Sequence, residues 1–174
     1  MKSTSTFTPL VILILAAIVA TTSTSAAIVP EHGPSAFGAG QFRFPSQSGD
    51  RIEFWRFSFE AIANKNGHTR GRAQFENLTA QTQVAVRINC LSVGTDVGKA
   101  FAVMSGTVLH SDHPALPKLE KVVFVATDGS LLPTSGADTI SPPFVLPPFF
   151  GEDCRDTQPL TMLPVEDGDI QIQL

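Results

Sequence analysis

The chain's scarcest reactive side chains are its four histidines and two cysteines, and two of the histidines stand together in His110-Ser111-Asp112-His113. Two imidazoles and a carboxylate within four residues are donors that can hold a divalent ion and leave one position open to water. That is the arrangement by which a metal-dependent hydrolase or isomerase activates a water. The spacing is not one turn of a helix, however, and the same residues describe a solvated turn after a strand. No further ligand is identifiable along the chain. His110, Asp112 and His113 are therefore carried as candidates for a metal or acid–base site, and no metal or cofactor is assigned.

Other constellations carry two readings as well. Glu60 and Glu76 fall on adjacent strands, where paired carboxylates suit glycoside chemistry, but each also gains an arginine neighbour in a plain surface ladder. Asp167-Gly168-Asp169 and Asp153 offer oxygen ligands for calcium without the twelve-residue loop that normally presents them, so a turn is the simpler description. Asn77-Leu78-Thr79 is an acceptor for N-glycosylation if the host is eukaryotic, expected on the surface where a hairpin ends. No Gly-x-Ser-x-Gly nucleophile motif and no phosphate-cradling glycine loop occurs. Cys90 and Cys154 make an even pair, which in an exported chain suggests a bridge; two buried thiols are the rival. Closing a loop of about 65 residues would contribute on the order of 4 kcal/mol in the chain-entropy picture.

The elements that must position these residues centre on Ile52–Asn77. From Glu53 the odd positions read Glu53, Trp55, Phe57, Phe59, Ala61, Ala63, against Phe54, Arg56, Ser58, Glu60 and Ile62. Side chains alternate across a strand, so Trp55, Phe57 and Phe59 share an apolar face. Thr69, Gly71, Ala73 and Phe75 alternate in the same way after the turn signal Asn64-Lys65-Asn66-Gly67-His68. A two-residue loop at Asn66-Gly67 would set core positions opposite solvent positions. A three-residue loop Lys65-Asn66-Gly67, with Gly67 left-handed, puts Phe57 opposite Phe75, Phe59 opposite Ala73, Glu60 opposite Arg72 and Arg56 opposite Glu76. Burying each large ring at roughly 1.5–3 kcal/mol outweighs charge pairs of about 0.2–1 kcal/mol, so the three-residue loop is expected.

The rest of the chain continues in strands. Residues 36–44 read as a first strand closely approached at Gly38 and Gly40. Val84, Val86, Ile88 and Cys90 alternate cleanly until Leu91 and Val93 change phase, which calls for a bulge near Asn89–Leu91 or cover on both faces. Residues 100–110 and 119–127 are two further strands, and 169–174 is a closing one. Between them, residues 129–158 carry Pro133, Pro142, Pro143, Pro147 and Pro148, which forbid a regular ladder or helix and mark a long proline-rich loop. No segment shows useful helical periodicity. The expected fold is all-β: a single antiparallel barrel or sandwich of about six to eight strands.

Lys2, the apolar run Leu10–Ala20 and the small residues Thr24–Ala27 describe an export signal on residues 1–27, cut after Ala27. The apolar run is shorter than the about 20 residues a membrane-spanning helix needs. Residues 28–174 then form one secreted β domain, extracellular or periplasmic, with no membrane association after cleavage. The formal net charge is −4 and the basic residues are scattered, which argues against nucleic acid as a partner. Thirteen Phe with no Tyr supply apolar area without hydroxyls, more in keeping with a core than with a sugar-stacking surface.

The pattern Phe57-Ser-Phe59-Glu-Ala61, Gly71-Arg-Ala-Gln-Phe75, Val86-Arg-Ile-Asn-Cys90-Leu-Ser-Val93, Lys99-Ala100 and Ser105-Gly106 resembles a widespread group of small exported all-β proteins of unknown function. Gly168-Asp169-Ile170 matches the way such chains close. The resemblance covers most of the chain from about Phe37 and implies fold and export, not an activity. The expected role is a non-enzymatic binding or structural module with an unknown extracellular ligand or protein partner. The alternatives are a barrel enzyme using His110, Asp112 and His113, and a cell-surface interaction protein displaying Phe144–Phe150.

Overall fold

The computed structural model of the chain describes residues 33–46, 48–96, 98–129, 136–146, 154 and 160–174. The export signal of residues 1–27, Asp153, Pro133, Pro147, Pro148, Phe149 and Phe150 lie outside the described residues. Ten strands are described: β1 (Ser35–Pro45), β2 (Ile52–Ala63), β3 (Thr69–Asn77), β4 (Thr82–Asp96), β5 (Lys99–Ser111), β6 (Lys121–Asp128), β7 (Thr139–Ile140), β8 (Phe144–Val145), β9 (Leu163–Pro164) and β10 (Asp167–Gln173). The count exceeds the expected six to eight because three two-residue strands add to the long ones, β7 and β8 within the proline-rich excursion of residues 129–158 and β9 after it. All pair antiparallel in one sheet ordered β10-β1-β2-β3-β4-β5-β6-β7-β9, with β8 also on β6. The sheet curls into a half-barrel; there is no second stacked sheet among the described residues.

The central hairpin has the expected register. Phe57 pairs with Phe75, Phe59 with Ala73, Glu60 with Arg72 and Arg56 with Glu76. The turn closes through Asn64 and His68 (Asn64 N to His68 O, 2.9 Å), leaving Lys65, Asn66 and Gly67 as the loop, with Gly67 at φ +79°. Asn64 Oδ1 accepts from the amides of Asn66 and His68, which fixes the loop without help from the core.

Inside the curl, aromatic rings make one continuous stack. Trp55 lies parallel to Phe42 (6.2 Å, 8°), Phe42 meets Phe57, Phe57 meets Phe59, and Phe59 and Phe75 both set edges against Phe124. β1 makes room for them with its glycines. Gly38 pairs with Phe59 and Gly40 with Phe57, and a Cβ at Gly38 would stand 2.6 Å from the Phe59 ring.

On β4 the change of phase has both anticipated causes. The register against β5 shifts between Ile88 and Cys90, so Asn89 is an extra residue. Val84, Val86 and Ile88 face inward before the bulge; Leu91 and Val93 pack on the same core after it. Cys90 is thereby turned outward, correcting its expected place beside Ile88. There it joins Val103, Val123 and Cys154 in a second apolar cluster, with Leu146 from the excursion and Leu160 just after it packed over it. The Cys90–Cys154 disulfide staples this cover to the sheet.

The seam between β10 and the β6–β7 region is made by side chains. The Asp138 carboxylate accepts from the amides of Gly129 and Ile170, each at 2.8 Å, and Asp128 Oδ2 accepts from the amide of Ile172 at 3.2 Å.

Candidate functional site

At the end of the half-barrel where β2 and β4 begin and β3 ends, the phenylalanine packing stops and a cavity of about 820 Å³ opens. Its walls come from five places in the chain: Phe44 to Ser46, Ser48 and Arg51 at the end of β1 and the turn after it, Glu53 and Trp55 on β2, Asn77 and Thr82 flanking the β3–β4 turn, His113 to Leu116 in the β5–β6 connection, and Ser141 to Val145 from the excursion with Leu160 and Thr161 after it. The excursion therefore covers the sheet and also builds one side of the cavity.

Asn77 organises the polar part of the wall. Its Oδ1 accepts from the amides of Thr79 (3.0 Å) and Ala80 (2.9 Å), closing the turn after β3, while its Nδ2 donates to Glu53 Oε2 at 2.6 Å. The side chain is fully buried. This corrects the surface position expected for the glycosylation acceptor, because the nitrogen that would carry a sugar is spent on Glu53. The Glu53 side chain is only 12% exposed and has Arg51 at 3.5 Å on its other oxygen.

His113 packs against Trp55 with ring centroids 5.4 Å apart. Its Nδ1 accepts from the Ala115 amide at 3.3 Å, which places the ring proton on Nε2. Burial lowers its pKa below the ordinary 6.5, and the carboxylates of Glu53 and Asp112 only partly oppose this. The ring is thus neutral at pH 7.

Two buried polar atoms among the described residues have no hydrogen-bond partner, Trp55 Nε1 and Thr82 Oγ1, and both residues line the cavity. A buried donor left unmet costs about 1–3 kcal/mol, so two at one site are a feature to be explained.

His110 is exposed on β5 opposite Ala85, and the Asp112 carboxylate accepts from the Gln83 amide at 2.5 Å, tying the end of β5 to β4. Only His113 reaches the cavity, and among the described residues no group of three His, Cys, Asp or Glu is placed to hold a metal. Glu60 and Glu76 form exposed ion pairs with Arg72 and Arg56, each at 3.1 Å. Asp167 and Asp169 lie within β10 rather than in a turn, paired with Gln41 and Ala39. Of the Phe144–Phe150 segment, Phe144 is half-exposed at the cavity rim and Val145 is partly buried; residues 147–150 lie outside the described residues.

Glu53, Asn77 and Thr82 were not singled out from the sequence as a site, although a signal existed. Glu53 shares the parity of Trp55 and Phe57, and Asn77 that of Ala73 and Phe75, so both continue an inward face. Comparisons with protein-family models, with curated proteins and with solved structures yield no match to this chain.

Proposed function

We propose that the protein is an exported, non-enzymatic binding domain that receives a small molecule in the cavity between Trp55 and the excursion. The observation that carries this reading is the cavity itself. It is drug-sized, mostly apolar, lies at the mouth of a rigid aromatic core, and contains a few convergent polar groups. Binding is favoured over catalysis because, of the three candidate residues His110, Asp112 and His113, His113 alone lines the cavity, while Asp112 is engaged by the Gln83 amide. The Cys90–Cys154 bridge suits an oxidising compartment outside the cytoplasm.

Thermal melting against a library of small extracellular metabolites tests the proposal. A ligand present at about 100 times its Kd should stabilise the fold by about 2.7 kcal/mol. The variant Ala115→Trp, which fills the cavity from an exposed lining position, should lose that shift while folding normally. Melting that no compound alters, or a shift of equal size in Ala115→Trp, defeats the reading.

A further inference from the structure

We infer that the cavity selects an uncharged, largely apolar ligand bearing an oxygen acceptor, which hydrogen-bonds to the indole N–H of Trp55 and the hydroxyl of Thr82. This rests on the binding role proposed above and adds the ligand's chemical class.

Charge decides against an anion. The carboxylate of Glu53 stands in the cavity wall with its side chain 12% exposed, whereas Arg51, which also lines the cavity, is 57% exposed, so water screens its charge, and it is already paired with Glu53 at 3.5 Å. A carboxylate or phosphate entering the site would lie beside a like charge in a poorly solvated place. His113 does not offset this, because its Nδ1 is an acceptor for the Ala115 amide and the ring is neutral.

A cation fares no better. Glu53 Oε2 is already occupied by the Asn77 amide at 2.6 Å. Cation–π binding and sugar stacking both require an open aromatic face, and Trp55 is 5% exposed, stacked on Phe42 and abutted by His113. What the indole still has is its N–H, which can only donate. The ligand's complementary atom is therefore an acceptor: a carbonyl, ether or hydroxyl oxygen.

Most of the remaining wall surface is apolar, from Phe44, Leu116, Pro143 and Leu160 among others, with hydroxyls from Ser46, Ser48, Ser141 and Thr161 between them and Phe144 half-exposed at the rim. Trp55 Nε1 and Thr82 Oγ1 are shielded from solvent, so engaging them requires a side-chain movement at the cavity floor. Trp55 is the chain's one tryptophan, and its fluorescence reports that movement directly.

Calorimetric titration of the purified, disulfide-bonded protein with four probes separates the classes: 2-decanone, decanoate, decyltrimethylammonium and maltose. The ketone should bind about tenfold or more tightly than either charged chain and than the sugar, with a change in Trp55 emission. Thr82→Val, which keeps the shape and removes the hydroxyl, should weaken the ketone about five- to tenfold, and Trp55→Phe by a similar factor. Tightest binding by a charged probe or by maltose overturns the ligand class and leaves the binding role intact. So does a folded Thr82→Val protein that binds the ketone as the parent does. Failure of all four probes, together with a metabolite library that never shifts melting, overturns the binding role itself.

Discussion

Glu53 and Asn77 occupy inward positions at the ends of two strands whose other inward residues are aromatic or aliphatic. Burying them is tolerable because they satisfy one another: the Asn77 amide donates to the Glu53 carboxylate, and the Asn77 oxygen takes two turn amides. Asn77→Ala leaves two backbone donors and a carboxylate short of partners, and should cost about 1–3 kcal/mol in denaturant unfolding. His113 adds a dependence on acidity. Its folded pKa is held below 6.5 by burial, so the unfolded chain binds more protons than the folded one as pH falls below 6.5. Stability should therefore be full above pH 6.5, decline as pH falls toward the folded pKa, and level off below it. Melting followed across this range should show that decline in the parent protein, and His113→Gln should remove it. An unchanged decline in the variant would assign the acid sensitivity elsewhere.

At the scale of the elements, β1 and β2 show how much the type of one residue decides. Gly38 and Gly40 pair with Phe59 and Phe57 across the strands; a side chain at Gly38 would press into the Phe59 ring, and one at Gly40 into the Asp167 carbonyl and Val165 before it met Phe57. Gly38→Val should destabilise the protein by about 1–3 kcal/mol or more, read as a lower midpoint in urea. The hairpin register was legible in the sequence because both faces of β2 and β3 alternate without a break and the turn carries its own glycine. β4 was legible only in part. Its change of phase predicted a bulge, but which side Cys90 would take depended on whether the extra residue came before or after it. The cavity was less legible still, since its walls come from five separated segments and no local pattern joins Thr82 to His113 or Ser141. The polar inward residues Glu53 and Asn77 were its one local trace. The candidate His110-Asp112-His113 cluster drew attention by composition, yet strand alternation and the clamp from Asp112 to Gln83 disperse it.

For the whole molecule, the main long-range tie is the Cys90–Cys154 bridge across a separation of 64 residues, which holds the excursion against β4, β5 and β6. Replacing both cysteines by serine should lower stability by about 4 kcal/mol in the chain-entropy estimate, read as a drop in the thermal midpoint. Because the excursion also walls the cavity, ligand affinity should fall in the same variant. The Asp138 seam gives a second test. Asparagine at 138 can accept from one of the two amides and turns an NH2 group toward the other, so Asp138→Asn should cost about 1–3 kcal/mol. That seam bears on behaviour in crowded solution. Open sheets present bare amides along their outermost strand, an invitation to strands from neighbouring molecules. Here two amides on the far side of β10 are occupied by the carboxylates of Asp138 and Asp128, which close that side against the β6–β7 region and leave those donors unavailable to a neighbouring strand. Two acidic side chains thus seal the last strand where a further strand would otherwise be needed, and loosening either should uncover those amides and appear first as self-association.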